Sequence, residues 1–120
     1  MALVFLVHDD PVFQREAAVA LRDAGHEVAT FDDPMTALNA LEGDITVDVL
    51  VTRVNFPEGK PNGVSLALMT RMKCLCVFVS KSENERWTEG IGRLVPHPVD
   101  LAELVRTVDA VRTESSERPL

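Results

Sequence analysis

The sequence predicts one doubly wound α/β domain, a parallel sheet with helices on both faces, and three observations carry that prediction. Short apolar runs rich in β-branched residues recur at Leu3–Val7, Val47–Val51 and Leu75–Val79, the pattern of strands buried on both faces. Amphipathic stretches of helical spacing alternate with these runs, and parallel strands need such right-handed crossovers. A length of 120 residues is the size of a single compact domain.

Leu3–Val7 is the first strand; it is too short to span a membrane and lacks the basic flank of a signal peptide. The first helix starts at Pro11, with Phe13, Ala17, Val19, Ala20 and Leu21 near helical spacing, and Gly25 stops it. A short strand, Glu27–Phe31, follows. Asp33 and Pro34 then open a second helix, the carboxylate as N-cap and the proline at the first helical position. Met35, Leu38 and Leu41 mark its buried face. After the Val47–Val51 strand, a third helix starts near Gly63 and carries Val64, Leu66, Ala67 and Met69. Leu75–Val79 is the fourth strand and Gly92–Val95 the fifth. Between them only about Ser82 to Glu89 is left for a fourth helix, roughly two turns, closed by Gly90 and Gly92. The last helix begins at Asp100, where Glu103 completes a capping-box pattern. Its stripe is Leu101, Leu104, Val105, Val108 and Val111. The domain is thus expected over 1–112, with 113–120 a flexible C-terminal tail. Five strands in this alternation fit the flavodoxin-like order 2-1-3-4-5.

Composition narrows the function. Twelve Lys plus Arg against nineteen Asp plus Glu give a formal charge of -7, and the basic residues form no stripe. An acidic surface repels phosphate backbones, so nucleic acid is not an expected partner. Cys74 and Cys76 stand two apart on a strand-like run and therefore share a face. Such neighbours are poor disulfide partners, and no second cysteine pair completes a zinc site. They read as small core residues of a protein in the reducing cytoplasm.

In an open parallel sheet the ligand crevice lies beyond the carboxyl ends of the strands, where the strand order reverses. Those ends carry His8, Asp9 and Asp10 after the first strand, Arg53 after the third, Ser80 after the fourth, and His97 and Pro98 after the fifth. Val7-His8-Asp9-Asp10-Pro11, then Val47 to Arg53 followed by Pro57-Glu58-Gly59 and Asn62-Gly63, then Val79-Ser80 and Val95-Pro96-His97-Pro98, resemble the CheY-like receiver domain of bacterial two-component response regulators. The likeness runs to about Val111.

The resemblance implies phosphoryl transfer to an aspartate at the end of the third strand. In the family two acids hold Mg²⁺ and a Ser/Thr and a lysine before proline complete the pocket, because concentrated negative charge needs a metal and an ammonium beside it. Here Asp9 matches the second acid and Ser80 the hydroxyl. His8 stands at the first acid, Arg53 at the acceptor and His97 at the lysine, while Asp10 falls one position beyond. The peptide bond before Pro98 is expected to be cis, as in the proteins it resembles. A guanidinium stays protonated, is no phosphate acceptor and repels Mg²⁺. Two arrangements are open to Arg53: it reaches toward Asp9 or Asp10 and fills the crevice as a built-in cation, or it extends into solvent.

The output face departs as well, with a short fourth helix and Leu94 where the family has an aromatic switch. Trp87, the single tryptophan, sits on that helix as a partner anchor or as packing for a thin core. The reading is a stand-alone pseudo-receiver in the cytoplasm, without enzymatic activity, metal or cofactor. It acts through protein contacts with a sensor histidine kinase, another response regulator or a second copy of itself, using Trp87 and Leu94, and needs no membrane. Small-anion or ligand sensing on the same fold, and phosphorylation at a non-standard residue such as His8 or His97, are the alternatives. A zinc site from His8, Asp9 and His97 has Arg53 among its would-be ligands and no recognised local spacing.

Overall fold

The computed structural model describes residues 2–43, 46–54, 66–68, 74–81 and 85–117, with the backbone alone at 85, 87 and 114–117. The strands are β1 (Leu3–Val7), β2 (Glu27–Phe31), β3 (Val49–Arg53), β4 (Leu75–Ser80) and β5 (Arg93–Pro96); the helices are α1 (Pro11–Asp23), α2 (Pro34–Leu41), α3 (Glu85–Thr88) and α4 (Leu101–Glu117). The five strands form one sheet in the order β2-β1-β3-β4-β5, and every pairing is parallel. Among the described residues no helix is long and apolar enough to cross a membrane.

Side-chain alternation along the strands divides the core in two. Val4 and Leu6, Val49 and Val51, Val77 and Val79, and Val95 join Ala17, Leu21, Leu104 and Val108 in one cluster under α1 and α4. Phe5 and Val7, Leu50, Cys76 and Phe78 join Ala37 and Leu41 in the other, under α2. The continuous apolar runs thus serve both faces at once, which is why β1, β3 and β4 occupy the centre. β2, at an edge, has no fully buried residue: Glu27 and Thr30 are exposed and Val28, Ala29 and Phe31 half-buried.

The helix ends follow from local chemistry. The Asp10 carboxylate accepts from the backbone N–H groups of Val12 at 3.0 Å and Phe13 at 3.4 Å, and Pro11 takes the first helical position. At the other end Gly25 adopts φ 95°, a left-handed conformation that a side chain would strain. Asp33 caps α2 through the Met35 N–H at 3.0 Å, and Asp100 caps α4 through the Ala102 N–H at 2.9 Å.

Several expectations need correction. Val19 and Met35 are exposed, at 51% and 45%, because Ala17, Ala18 and Leu21 make the inner face of α1 and Pro34, Ala37 and Leu41 that of α2. Strand β3 starts two residues later than the apolar run and ends on Arg53 itself. The last helix runs through Glu117, and the Thr113 hydroxyl donates to the Asp109 carbonyl at 3.0 Å. The short fourth predicted helix is α3, four residues within the span expected, and Gly90 follows it at φ 77°. Of the third predicted helix, residues 66–68 are helical with Leu66 and Ala67 buried; its Gly63, Val64 and Met69, like Pro57, Glu58, Gly59, Asn62 and Ser82, lie outside the described residues.

Candidate functional site

His8 and Asp9 follow directly on β1, Arg53 closes β3, Ser80 closes β4, and His97 and Pro98 follow β5. Because β1, β3 and β4 are adjacent and parallel, with Val7 opposite Thr52 and Arg53 opposite Val79, these ends meet along one rim of the sheet. The His97 N–H donates to the Ser80 carbonyl at 3.0 Å, carrying the alignment to β5. The His97–Pro98 bond is cis.

Of the two arrangements open to Arg53, the structure has the paired one. Its Nη1 donates to Oδ1 of Asp9, and the two side chains are 34% and 28% exposed, so the pair is only partly shielded from water. Asp10 is not a partner in it; its carboxylate is spent as the N-cap of α1. Burial alone would raise the Asp9 carboxyl, but the hydrogen bond and charge of Arg53 outweigh it and hold Asp9 below the usual carboxylate value.

His8 is buried. Its Nδ1 accepts the Asp10 N–H at 3.1 Å, which assigns the proton of the neutral ring to Nε2. Nε2 is buried and has no hydrogen-bond partner among the described residues. Burial first, and then the Arg53 charge, hold the ring down at about 4 against an ordinary 6.5, although Asp9 and Asp10 pull the other way. The ring is therefore uncharged at neutral pH. In this tautomer neither nitrogen offers a metal a spare lone pair. Among the described residues no group of three or more His, Cys, Asp and Glu converges as a metal site would require.

Two residues that sequence reasoning did not assign to the site support it. Phe13 lies against the His8 ring with centroids 4.4 Å apart, and Gln14 Nε2 donates to the His8 carbonyl at 3.1 Å. Their signal was position: the first turn of α1, launched from Asp10, must fold back over the end of β1. Of the two residues assigned to partner binding, Leu94 is half-buried and packs against the second cluster, where it supports the core. Trp87 lies on α3, and the reading of its side chain falls outside the described residues.

Chemically, the rim presents a guanidinium and a carboxylate that neutralise each other, a neutral imidazole, a hydroxyl and an exposed second imidazole. At the end of β3 the protonated Arg53 guanidinium has no lone pair to give, and the buried Thr52 hydroxyl beside it donates to the Arg53 carbonyl at 3.0 Å. Among the described residues, Asp9 is engaged with Arg53 and Asp10 with the N-terminus of α1.

No family model matches the chain, and no curated protein matches it in sequence. Solved structures match it almost end to end. The receiver domain of the Francisella response regulator 1452 is 18% identical, with a TM-score of 0.83 over 96% of this chain and 99% of that one. The chemotaxis response regulator CheY4 of Vibrio cholerae is 24% identical, with a TM-score of 0.80 over 92% and 98%. A response regulator receiver protein from Sinorhizobium medicae is 20% identical, with a TM-score of 0.84 over 93% and 94%. At these identities the likeness establishes the fold, and the fold is that of the CheY-like receiver domain.

Proposed function

We propose that this chain is a pseudo-receiver: a signalling module on the receiver fold that lacks the phosphoacceptor and works by phosphorylation-independent protein contacts rather than as an enzyme. The observation that carries the reading is Arg53. It stands at the end of β3 where the fold's aspartate belongs, and it is bound to Asp9, the acid that would otherwise help hold Mg²⁺. Under this reading the Arg53 guanidinium takes the place of the metal as the cation beside Asp9, and no phosphoryl group is needed to set the state of the rim. The partner under this reading is a histidine kinase, another response regulator or a second copy of the chain, met in the cytoplasm, with α3 and β5, the elements of Trp87 and Leu94, as the contact region. Sensing of a small anion has less support, because the charge of Arg53 is already matched by Asp9.

Amide NMR spectra titrated with Mg²⁺ and then with beryllofluoride, a phosphoryl mimic, test the reading. The expected result is no saturable shift at Asp9, Arg53 or Ser80. Saturable shifts there would show that the pocket still takes the activating ligands and would overturn the proposal.

A further inference from the structure

The outer face of α1 carries apolar side chains that the core does not use. Ala17, Ala18 and Leu21 turn inward, yet Val12 and Val19 are each 51% exposed. Seven residues along a helix of about 3.6 per turn come back to within about 20° of the starting direction. The two valines therefore stand on one line, opposite the buried stripe and about 10.5 Å apart along the axis. Single exposed apolar residues need no explanation. An aligned pair on the solvent side of a surface helix does, because that side is ordinarily polar.

Charges sort to the two sides of this line. The helical turn places Arg15 and Arg22 along one flank and Glu16 and Asp23 along the other, and all four are exposed. Among the described residues Arg15, Glu16 and Asp23 enter no ion pair. None of the four stands three or four residues from an opposite charge on α1, the spacing at which a pair forms within a helix. Arg22 Nη2 donates to the Val28 carbonyl at 3.0 Å, so the basic flank is the one beside β2.

This pattern chooses its occupant. An apolar line with a basic flank and an acidic flank is complementary to a parallel copy of itself. When a two-fold axis runs along the helix, each flank meets the opposite flank of the other copy. Arg15 then faces Glu16 of the partner and Arg22 faces Asp23 of the partner, each contact occurring twice. An antiparallel pair instead sets like flanks together, base beside base and acid beside acid, which is repulsive. Valine lets helix axes approach to roughly 8–10 Å, and a shallow crossing of about 20° keeps both valine levels in contact.

We infer that α1 is a self-association face, on which two copies of the chain pair with their α1 helices parallel, Val12 against Val12 and Val19 against Val19. The face lies on the side of the sheet that holds the first apolar cluster, whereas Leu94 packs against the second. It is therefore separate from the contact region proposed above. With 13 residues, α1 is about 20 Å long. A face of that length and one helix wide buries less than the roughly 1,200 Å² of a standard interface, so the dimer is weak and depends on concentration.

Sedimentation equilibrium of the full chain between about 10 µM and 1 mM tests this. The expected result is a reversible monomer–dimer equilibrium that salt weakens. Arg15→Glu should raise the dissociation constant roughly ten-fold, and Arg15→Glu/Glu16→Arg, which exchanges the flanks at that level, should restore it. Val19→Asp should give a monomer whose fold, checked by circular dichroism, is intact because the position is exposed. A wild type that stays monomeric throughout would overturn the inference and leave the face to a different protein. A dimer indifferent to Val19→Asp would place the interface elsewhere, and one indifferent to Arg15→Glu would refute the parallel pairing.

Discussion

Acidification is expected to weaken this fold through His8, in a range above that in which ordinary carboxylates titrate. The unfolded chain takes up a proton on His8 as the pH falls through 6.5, while the folded chain resists until about 4, because burial and Arg53 disfavour the charged ring. Between those values the unfolded state binds more protons, so stability falls as pH falls. Below about 4 both states are protonated and the loss from this residue is complete. The interval from 6.5 to about 4, at about 1.36 kcal/mol per pH unit, amounts to roughly 3 kcal/mol, a large share of a small domain's stability. Asp9 has the same sign at lower pH. Its folded value is depressed, so its contribution is full above about 3.9 and fades as pH falls below that. Urea denaturation of the wild type and His8→Asn over about pH 7.5 to 4 isolates the His8 effect, since the other titrating groups largely cancel in the difference. The variant loses the ring contact with Phe13 at every pH, which lowers its curve without tilting it. A pH-independent difference between the two proteins, or a His8 ring titrating near 6.5 by NMR, would refute the argument.

A double-mutant cycle of Asp9→Asn and Arg53→Met should give a coupling of about 1 kcal/mol, reduced by salt, because the pair is only partly shielded from water; urea denaturation measures it. Gly92→Ala should cost about 1–3 kcal/mol by overpacking, read as a lower Tm. The new Cβ would collide with the Cys76 carbonyl oxygen and lie 2.8 Å from its carbon, backbone that β3 and β5 hold from both sides. Arg53→Asp is expected to remain unphosphorylated by a small-molecule phosphodonor, as judged by intact mass, because His8 and His97 still stand where an acid and an ammonium are needed. A phosphoryl adduct in that variant would mean that Arg53 alone had silenced the pocket.

Part of this molecule was legible in the chain itself. Short apolar runs rich in β-branched residues fit strands buried on two faces, and Leu3–Val7 and Glu27–Phe31 were delimited to the residue. Caps were equally plain at Asp33 and Asp100, each of which precedes a stretch whose first amides need an acceptor, whereas the capping role of Asp10 emerged only in the fold. Strand ends placed His8, Asp9, Arg53, Ser80 and His97 on one rim, because parallel strands bring like ends together. Packing decided what periodicity could not. Val19 and Met35 are as apolar as their buried neighbours, and only the positions of α1 and α2 over the sheet turn them outward. The choice of Asp9 over Asp10 as the partner of Arg53 was likewise tertiary, because the N-terminus of α1 claims Asp10 first. The sequence by itself determined which chemical groups the crevice contains; the folded arrangement decided which are neutralised, which are buried and which are spent on the backbone. Those outcomes depend on distances across strands that no local pattern encodes.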